Sequence, residues 1–303
     1  MAYPTPQVTN TTAAVFIPEI WSDEVIAAYK SNLVAANVMK KMSFKGKKGD
    51  VIHIPKPTRG TPSAKVSEAA VTLISDTETE VLVPINKWYE YSRFIEDITE
   101  VQALSSMRRF YTEDAGYSLA KQVDTDLVQL GRVMNGGDGT NAYDAGYTGL
   151  DGTTLYDGTN AAALTDIAVR NVIQKLDDQD VPTTGRFFLV PPAARNTLLG
   201  LDRYTAMDMV GEAGSANTIR NGHIGNLYGI PVYVTSNADT TNADGDRVCL
   251  MGQKDAAVLV EQLGIRSQVQ YKQDYLATLY TSDTIYGVQA LREDAAFALV
   301  VPA

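Results

Sequence analysis

VQALSSMRRFYTEDAGYSLAKQVDTDLVQLGRVM, from Val101 to Met134, is the stretch that decides the fold. Leu104, Tyr111, Ala115, Leu119, Val123, Leu127, Leu130 and Met134 recur mostly three or four residues apart. That period lays one apolar stripe along a helix. No proline stands between Pro84 and Pro182, so nothing covalent interrupts the helix. At ~1.5 Å per residue it would be roughly 50 Å long, well beyond the usual helix of a compact domain. Gly116 sits inside it, where glycine costs about 1 kcal/mol relative to alanine, and is a candidate bend. Asn135-Gly136-Gly137 supplies a C-cap. A loop rich in Gly, Asp, Tyr and Thr follows to about Asn160.

Upstream, the chain changes character. Residues 1–16 read as extended, with Pro4 and Pro6 blocking helix, and Ile20 to Val34 return to helical spacing. Lys40, Lys41, Lys45, Lys47 and Lys48 form a basic run. Val51, Ile52 and Ile54 read as a strand, and Val71 to Ile85 as its β-like return, with Val81, Val83 and Ile85 on one face. A hairpin this long is marginal in water without a partner. Its charge is lopsided: Asp50 is the sole acid from Lys40 to Lys65, whereas Glu68 to Glu100 is strongly acidic. The plain reading is a solvated hairpin with self-compensating arms; the functional one is an arm that docks on a neighbouring copy.

Downstream, residues 161–303 read as an α+β unit. Thr165 caps a helix through Val169, Val172, Ile173 and Leu176. Strands are expected at Arg186–Val190, Gly229–Thr235, Val248–Met251, Val258–Val260 and Ala298–Val301, with a helix after Pro191-Pro192 and alternation over 265–291.

The chain has 303 residues, a net charge of −10, one cysteine and two histidines. The length suggests two domains, or one with large insertions. The negative balance argues against a protein whose main task is gripping phosphates. Cys249 alone excludes an internal disulfide framework and reads as a buried thiol; His53 and His223 cannot build a histidine-rich metal site. No apolar run spans a membrane, and Met1–Thr12 does not read as a secretory signal. Gly137-Asp138-Gly139-Thr140-Asn141-Ala142 follows a helix instead of a strand, so it fails as a dinucleotide loop. Ser118-Leu119-Ala120-Lys121 lacks the companion motifs of acyl-transfer enzymes. Asn242, Asp244 and Asp246 open like a calcium loop, but Arg247 and Gln253 stand where it needs glycine and glutamate. No catalytic, cofactor or metal constellation emerges.

The order of parts resembles the major capsid protein of tailed bacteriophages, the Hong Kong 97-type α+β shell fold. The resemblance is carried by Lys45–Ile85, similar to the family's extended E-loop, and by Trp88–Asp97, similar to the strand entering its spine helix. Leu119–Leu127 resembles the later half of that helix. Phe188–Pro192, Leu227–Thr235 and Val288–Leu299 resemble the axial (A) domain and the chain's end. It implies an N-terminal arm and helix (1–37), an E-loop (38–87), a peripheral (P) domain with the spine helix (88–160 and 263–286) and an A-domain (161–262 and 287–303). It further implies a non-enzymatic subunit of hexamers and pentamers in an icosahedral head, enclosing double-stranded DNA without sequence-specific contacts. Such a subunit assembles in the host cytoplasm, resides in the virion, and works with a separate scaffolding protein, a portal and decoration proteins, without a membrane. Candidate inter-subunit residues are Lys40, Lys41, Lys45, Lys47, Lys48 and Arg59 on the basic side, and Glu96, Asp97 and Glu100 on the acidic side, with Gly116 as hinge. An encapsulin-like compartment shell and an enzyme with an unrecognised site are the alternatives.

Overall fold

The computed structural model describes residues 33–56, 60–68, 70–71, 73, 78–97, 106–136, 149–158, 161–201, 225–241 and 245–303. Most of the expected N-terminal arm and its helix, the helix start at Val101, the glycine loop after Gly136, Arg59, Glu100 and His223 lie outside the described residues.

Two sheets and a hairpin organise the chain. The first sheet has four strands in the order β1-β9-β10-β4: β1 (Lys40–Ser43), β9 (Ala257–Lys272), β10 (Ala277–Ala290) and β4 (Lys87–Glu96). β1 runs parallel to β9, and the other pairs are antiparallel. The second has five strands in the order β11-β8-β5-β7-β6: β11 (Ala296–Val301), β8 (Arg247–Gln253), β5 (Arg186–Val190), β7 (Ile230–Val234) and β6 (Asn226–Leu227). β2 (Val51–Lys56) and β3 (Thr79–Pro84) form the separate hairpin.

Local chemistry explains these elements. β11 (AFALVV) and β5 after its paired Arg186 (FFLV) are continuous apolar runs, and both strands are buried at every position, as strands covered on both faces must be. β4 alternates instead: Tyr89 and Tyr91 are half-buried, while Trp88 and Glu90 are exposed. The short helix α1 (Ala35–Val38) precedes β1. The long helix α2 spans Ser106–Gln129 and tightens into a 3-10 segment, Leu130–Gly136. Asn135 takes φ 55°, the left-handed conformation expected of a residue just past a helix end. The Thr165 hydroxyl accepts the Ala168 N–H at the start of α3 (Asp166–Asp178), the predicted cap. Pro192 opens α4 (Pro192–Leu199), where its missing N–H costs nothing.

One contiguous core joins both sheets. It includes Ala35 of α1, Leu127 and Met134 of the long helical run, Val172 of α3, Phe187 and Phe188 of β5, Leu259 of β9, Tyr286 of β10 and Phe297 of β11. Each such apolar side chain contributes ~1.5–3 kcal/mol by leaving water. Cys249 lies fully buried in β8, and burial pushes its thiol well above the ordinary range.

Several expectations shift. The spans expected at 258–260 and 265–291 are two long strands, β9 and β10, joined through a turn at Gln273–Tyr275 with Leu276 left-handed. The four-stranded sheet therefore runs straight through the divisions expected at 262/263 and 286/287. The return strand of the hairpin begins at Thr79; Val71 and Leu73 stand outside any pairing. α2 continues through Gly116 without a break, and a Cβ built there would meet nothing within 4 Å.

Candidate assembly surfaces

Among the described residues the hairpin is anchored at its base. β2 and β3 pair from Val51↔Pro84 to Lys56↔Thr79. Val83 and Ile85 are buried against Val258 and Val260 of β9, with Phe44, Ile52, Ile54 and Ile285 around them. The backbone passes so close to β10 that a Cβ on Gly287 would lie 2.4 Å from the Pro84 carbonyl oxygen. Beyond the base, Gly60–Ser67 is extended or turning and fully exposed. Val66, Val71 and Leu73 are 67%, 69% and 87% exposed. Apolar side chains left this open mark a contact surface more than a core.

The basic residues sit on the stem of this hairpin. Lys40 Nζ lies 3.2 Å from Asp255, and Lys45 Nζ lies 3.6 Å from Glu261, so both have partners in their own chain. Lys47 caps the Phe44 ring at 5.2 Å. The Gln262 amide donates to the carbonyls of Lys47 and Gly49 and fixes the bend after β1. Lys41 and Lys48 are exposed with no ion pair among the described residues. On the acidic side Glu96 is exposed, and Asp97 accepts the Tyr271 hydroxyl at 2.7 Å. The two groups occupy opposite ends of one sheet: β1 pairs at Val258–Glu261, whereas Glu96 aligns through Ala277 with Lys272. Lys272 lies eleven residue steps along β9 from Glu261, which is roughly 36 Å at ~3.3 Å each. Among the described residues a single subunit does not bring these lysines to Glu96 and Asp97.

A buried polar joint, not foreseen in the sequence, ties the parts of the subunit. The Asp124 carboxylate accepts the N–H groups of Ala35 (2.8 Å) and Ala36 (3.4 Å) and the Asn237 amide (3.0 Å). It thereby fixes α1 and the loop after β7 to α2. Burial pushes its carboxyl up, and these donors work against that rise. Asp126 accepts the Tyr286 hydroxyl at 2.6 Å and lies 3.3 Å from Lys87 Nζ, holding α2 on β10 and β4. Arg132 donates twice to Asp239, at 2.7 and 2.9 Å, with both side chains largely buried. The signal was present in the sequence: Asp124 adjoins Val123 and Leu127 on the apolar stripe, where a charge demands partners.

The other face of the four-stranded sheet is open along β4. Trp88 is 70% exposed and Phe94 53%, the latter against Tyr275 with ring centroids 5.8 Å apart. Between them Asp283 receives two hydrogen bonds from Arg266, which hold its carboxyl below the usual range. Among the described residues no group of three acids, histidines or cysteines has the geometry of a metal site, and no helix is long and apolar enough to cross a membrane.

The comparisons agree with this architecture. A family model described as phage capsid protein matches residues 81–302. No curated protein sequence matches the chain. Among solved structures, one of Mycobacterium phage Che8 is 23% identical, with TM-score 0.74, covering 94% of this chain and 97% of that one. The capsid of the cyanophage P-SCSP1u is 17% identical with TM-score 0.76, covering 99% of both chains. The capsid of a native GTA (gene transfer agent) particle is 10% identical with TM-score 0.68, covering 99% of this chain and 100% of that one. The chain belongs to the phage capsid protein family. It is a structural major capsid protein, and its mixed helix and sheet architecture is the Hong Kong 97-type shell fold.

Proposed function

We propose that this subunit assembles into pentamers and hexamers that close an icosahedral head around double-stranded DNA. The observation that carries this reading is the hairpin Val51–Pro84 of a capsid-family subunit, its base buried on β9 and its apolar Val66, Val71 and Leu73 exposed among the described residues. In the assembled head the hairpin lies across an adjacent subunit and acts as the E-loop. Lys41, Lys47, Lys48 and Arg59 are the basic residues proposed to meet Glu96, Asp97 and Glu100 of that neighbour. Lys40 and Lys45 hold the stem in their own subunit. Exposed pairs contribute only ~0–1 kcal/mol each, so they set register while repetition over many copies supplies strength.

The net charge of −10 suits a wall against which packaged DNA must slide. The subunit carries no enzymatic task in this reading; a separate scaffolding protein, a portal and decoration proteins are its partners, assembly takes place in the host cytoplasm, and the product is the virion. Gly116 is the proposed hinge if α2 bends when a precursor expands. The likeness to GTA capsids extends the same reading to a phage-like DNA carrier. Electron microscopy of the purified full chain tests it: closed icosahedral particles are expected, and a stable monomer that never assembles under any condition overturns it.

A further inference from the structure

We propose that the outer edge of β4 pairs with the same edge of a second copy of this chain, antiparallel about a two-fold axis that passes beside Tyr91. The contact is one joint of the shell proposed above, and its test is read apart from particle formation.

β4 closes one side of the four-stranded sheet, with β10 its only strand neighbour among the described residues. Its ten residues, Lys87 to Glu96, pair with β10 without a bulge. Asp97 N–H donates to Leu276 C=O, and hydrogen-bonded pairs recur every second residue, so the odd-numbered residues of β4 bond to β10. The backbone N–H and C=O groups of Trp88, Glu90, Ser92, Phe94 and Glu96 therefore point away from the sheet. None of them has a backbone partner among the described residues. Such an edge is a template for another strand. It contains no proline, and Trp88 and Phe94 stand 70% and 53% exposed along it.

The side chains fix both the partner and the register. A two-fold axis normal to the sheet keeps each face on its own side, so residues of like parity stand opposite one another. With Tyr91 opposite its own copy, Trp88 meets Phe94, Tyr89 meets Arg93 and Glu90 meets Ser92, each contact made twice. Trp88–Phe94 and Glu90–Ser92 are then hydrogen-bonded pairs, as their outward backbone groups require. The exposed aromatics cover one another across the axis. The neighbouring registers are worse. With Glu90 on the axis, Glu90 faces Glu90 and Lys87 faces Arg93. With Arg93 on the axis, Arg93 faces Arg93 and Glu90 faces Glu96. Like charges directly opposite are destabilising. With Ser92 on the axis, Glu96 and Glu90 stand against Trp88 and Phe94. Of the four, the register centred on Tyr91 sets ring against ring and no charge against its like.

Disulfide formation tests the pairing. Glu90 and Ser92 are exposed, and the native thiol of Cys249 is buried, so cysteines placed on β4 are the reactive ones. A hydrogen-bonded antiparallel pair stands about 5.5 Å apart at Cα, within disulfide reach, whereas diagonal neighbours stand about 7–8 Å apart, beyond it. Full-length Glu90→Cys and Ser92→Cys chains, mixed before assembly and oxidised, are expected to give a covalent dimer that neither gives alone. The mixture is read in particles and in unassembled chain. Particles without the link overturn the pairing and leave the shell reading standing. Linked dimers without particles support the pairing and count against the shell. No link in either preparation overturns the pairing. A dimer from Ser92→Cys alone puts the axis at Ser92 and overturns the register proposed. On the parent chain, which needs no substitution, the Trp88, Glu90, Ser92 and Phe94 amides should exchange roughly a hundredfold more slowly in the assembled protein than in the dilute subunit. Unchanged rates in the assembled protein overturn the pairing.

Discussion

Asp124 and Asp283 are both carboxylates with hydrogen-bond donors, yet they respond to acid with opposite sign. Arg266 holds the Asp283 carboxyl below its ordinary value of 3.8. Its contribution to stability is therefore full above pH 3.8 and is lost as pH falls through the lowered value. Burial holds Asp124 above 3.8, so its titration favours the folded state below that pH, an advantage lost as pH rises through the raised value. Denaturant midpoints of Asp283→Asn and Asp124→Asn, each subtracted from the parent across pH 3 to 7, should slope in opposite directions. Arg132 is simpler: Arg132→Ala removes two charge-assisted hydrogen bonds from Asp239, which is 6% exposed at its side chain and keeps the Thr240 N–H. The expected loss is about 3–5 kcal/mol in the equilibrium unfolding of the unassembled subunit. Ser118 and Lys121 lie within the unbroken helix α2.

At the scale of elements, two glycines that look alike in sequence have opposite duties. Gly287→Ala would push a methyl group into the Pro84 carbonyl and lift the hairpin base, costing about 1–3 kcal/mol. Gly116→Ala meets open space and should stabilise α2 by up to about 1 kcal/mol. Thermal unfolding of the two variants checks both signs. Precursor and expanded shells with the same α2 curvature would remove Gly116 as a hinge. What the sequence revealed follows from period and capping. The α2 stripe, the Thr165 cap, the Pro191-Pro192 helix start and the apolar runs of β5 and β11 are local signals. What it hid depends on distant partners. β9 mixes Val258 and Val260, which face the hairpin base, with polar residues at an open edge, so no single alternation runs through it. Asp124 adjoins the apolar stripe, but its partners Ala35 and Asn237 lie 89 and 113 residues away. The stem lysines looked equivalent because Asp255 and Glu261, the partners of Lys40 and Lys45, are remote in sequence.

At the scale of the whole molecule, the subunit is one core with unfinished edges. Reversing charge at Lys41 and Lys48 together should leave the subunit's unfolding midpoint within about 0.5 kcal/mol while impairing particle formation. Sedimentation of Lys41→Glu/Lys48→Glu against the parent decides it, and normal particle yield would exclude those lysines from the contact. The joint around Asp124, Asp126 and Arg132 ties α2 and the helical turn after it to α1, β4, β10 and the loop after β7. The lone sulfur has a consequence of another kind. Cys249 is the only cysteine in 303 residues and is sealed within β8 with its thiol held protonated. The surface of the folded protein is therefore blank to thiol-selective reagents. A single cysteine placed at an exposed residue such as Trp88 would be the sole address for a dye, a drug or a tether, written once per subunit and repeated wherever the subunit is.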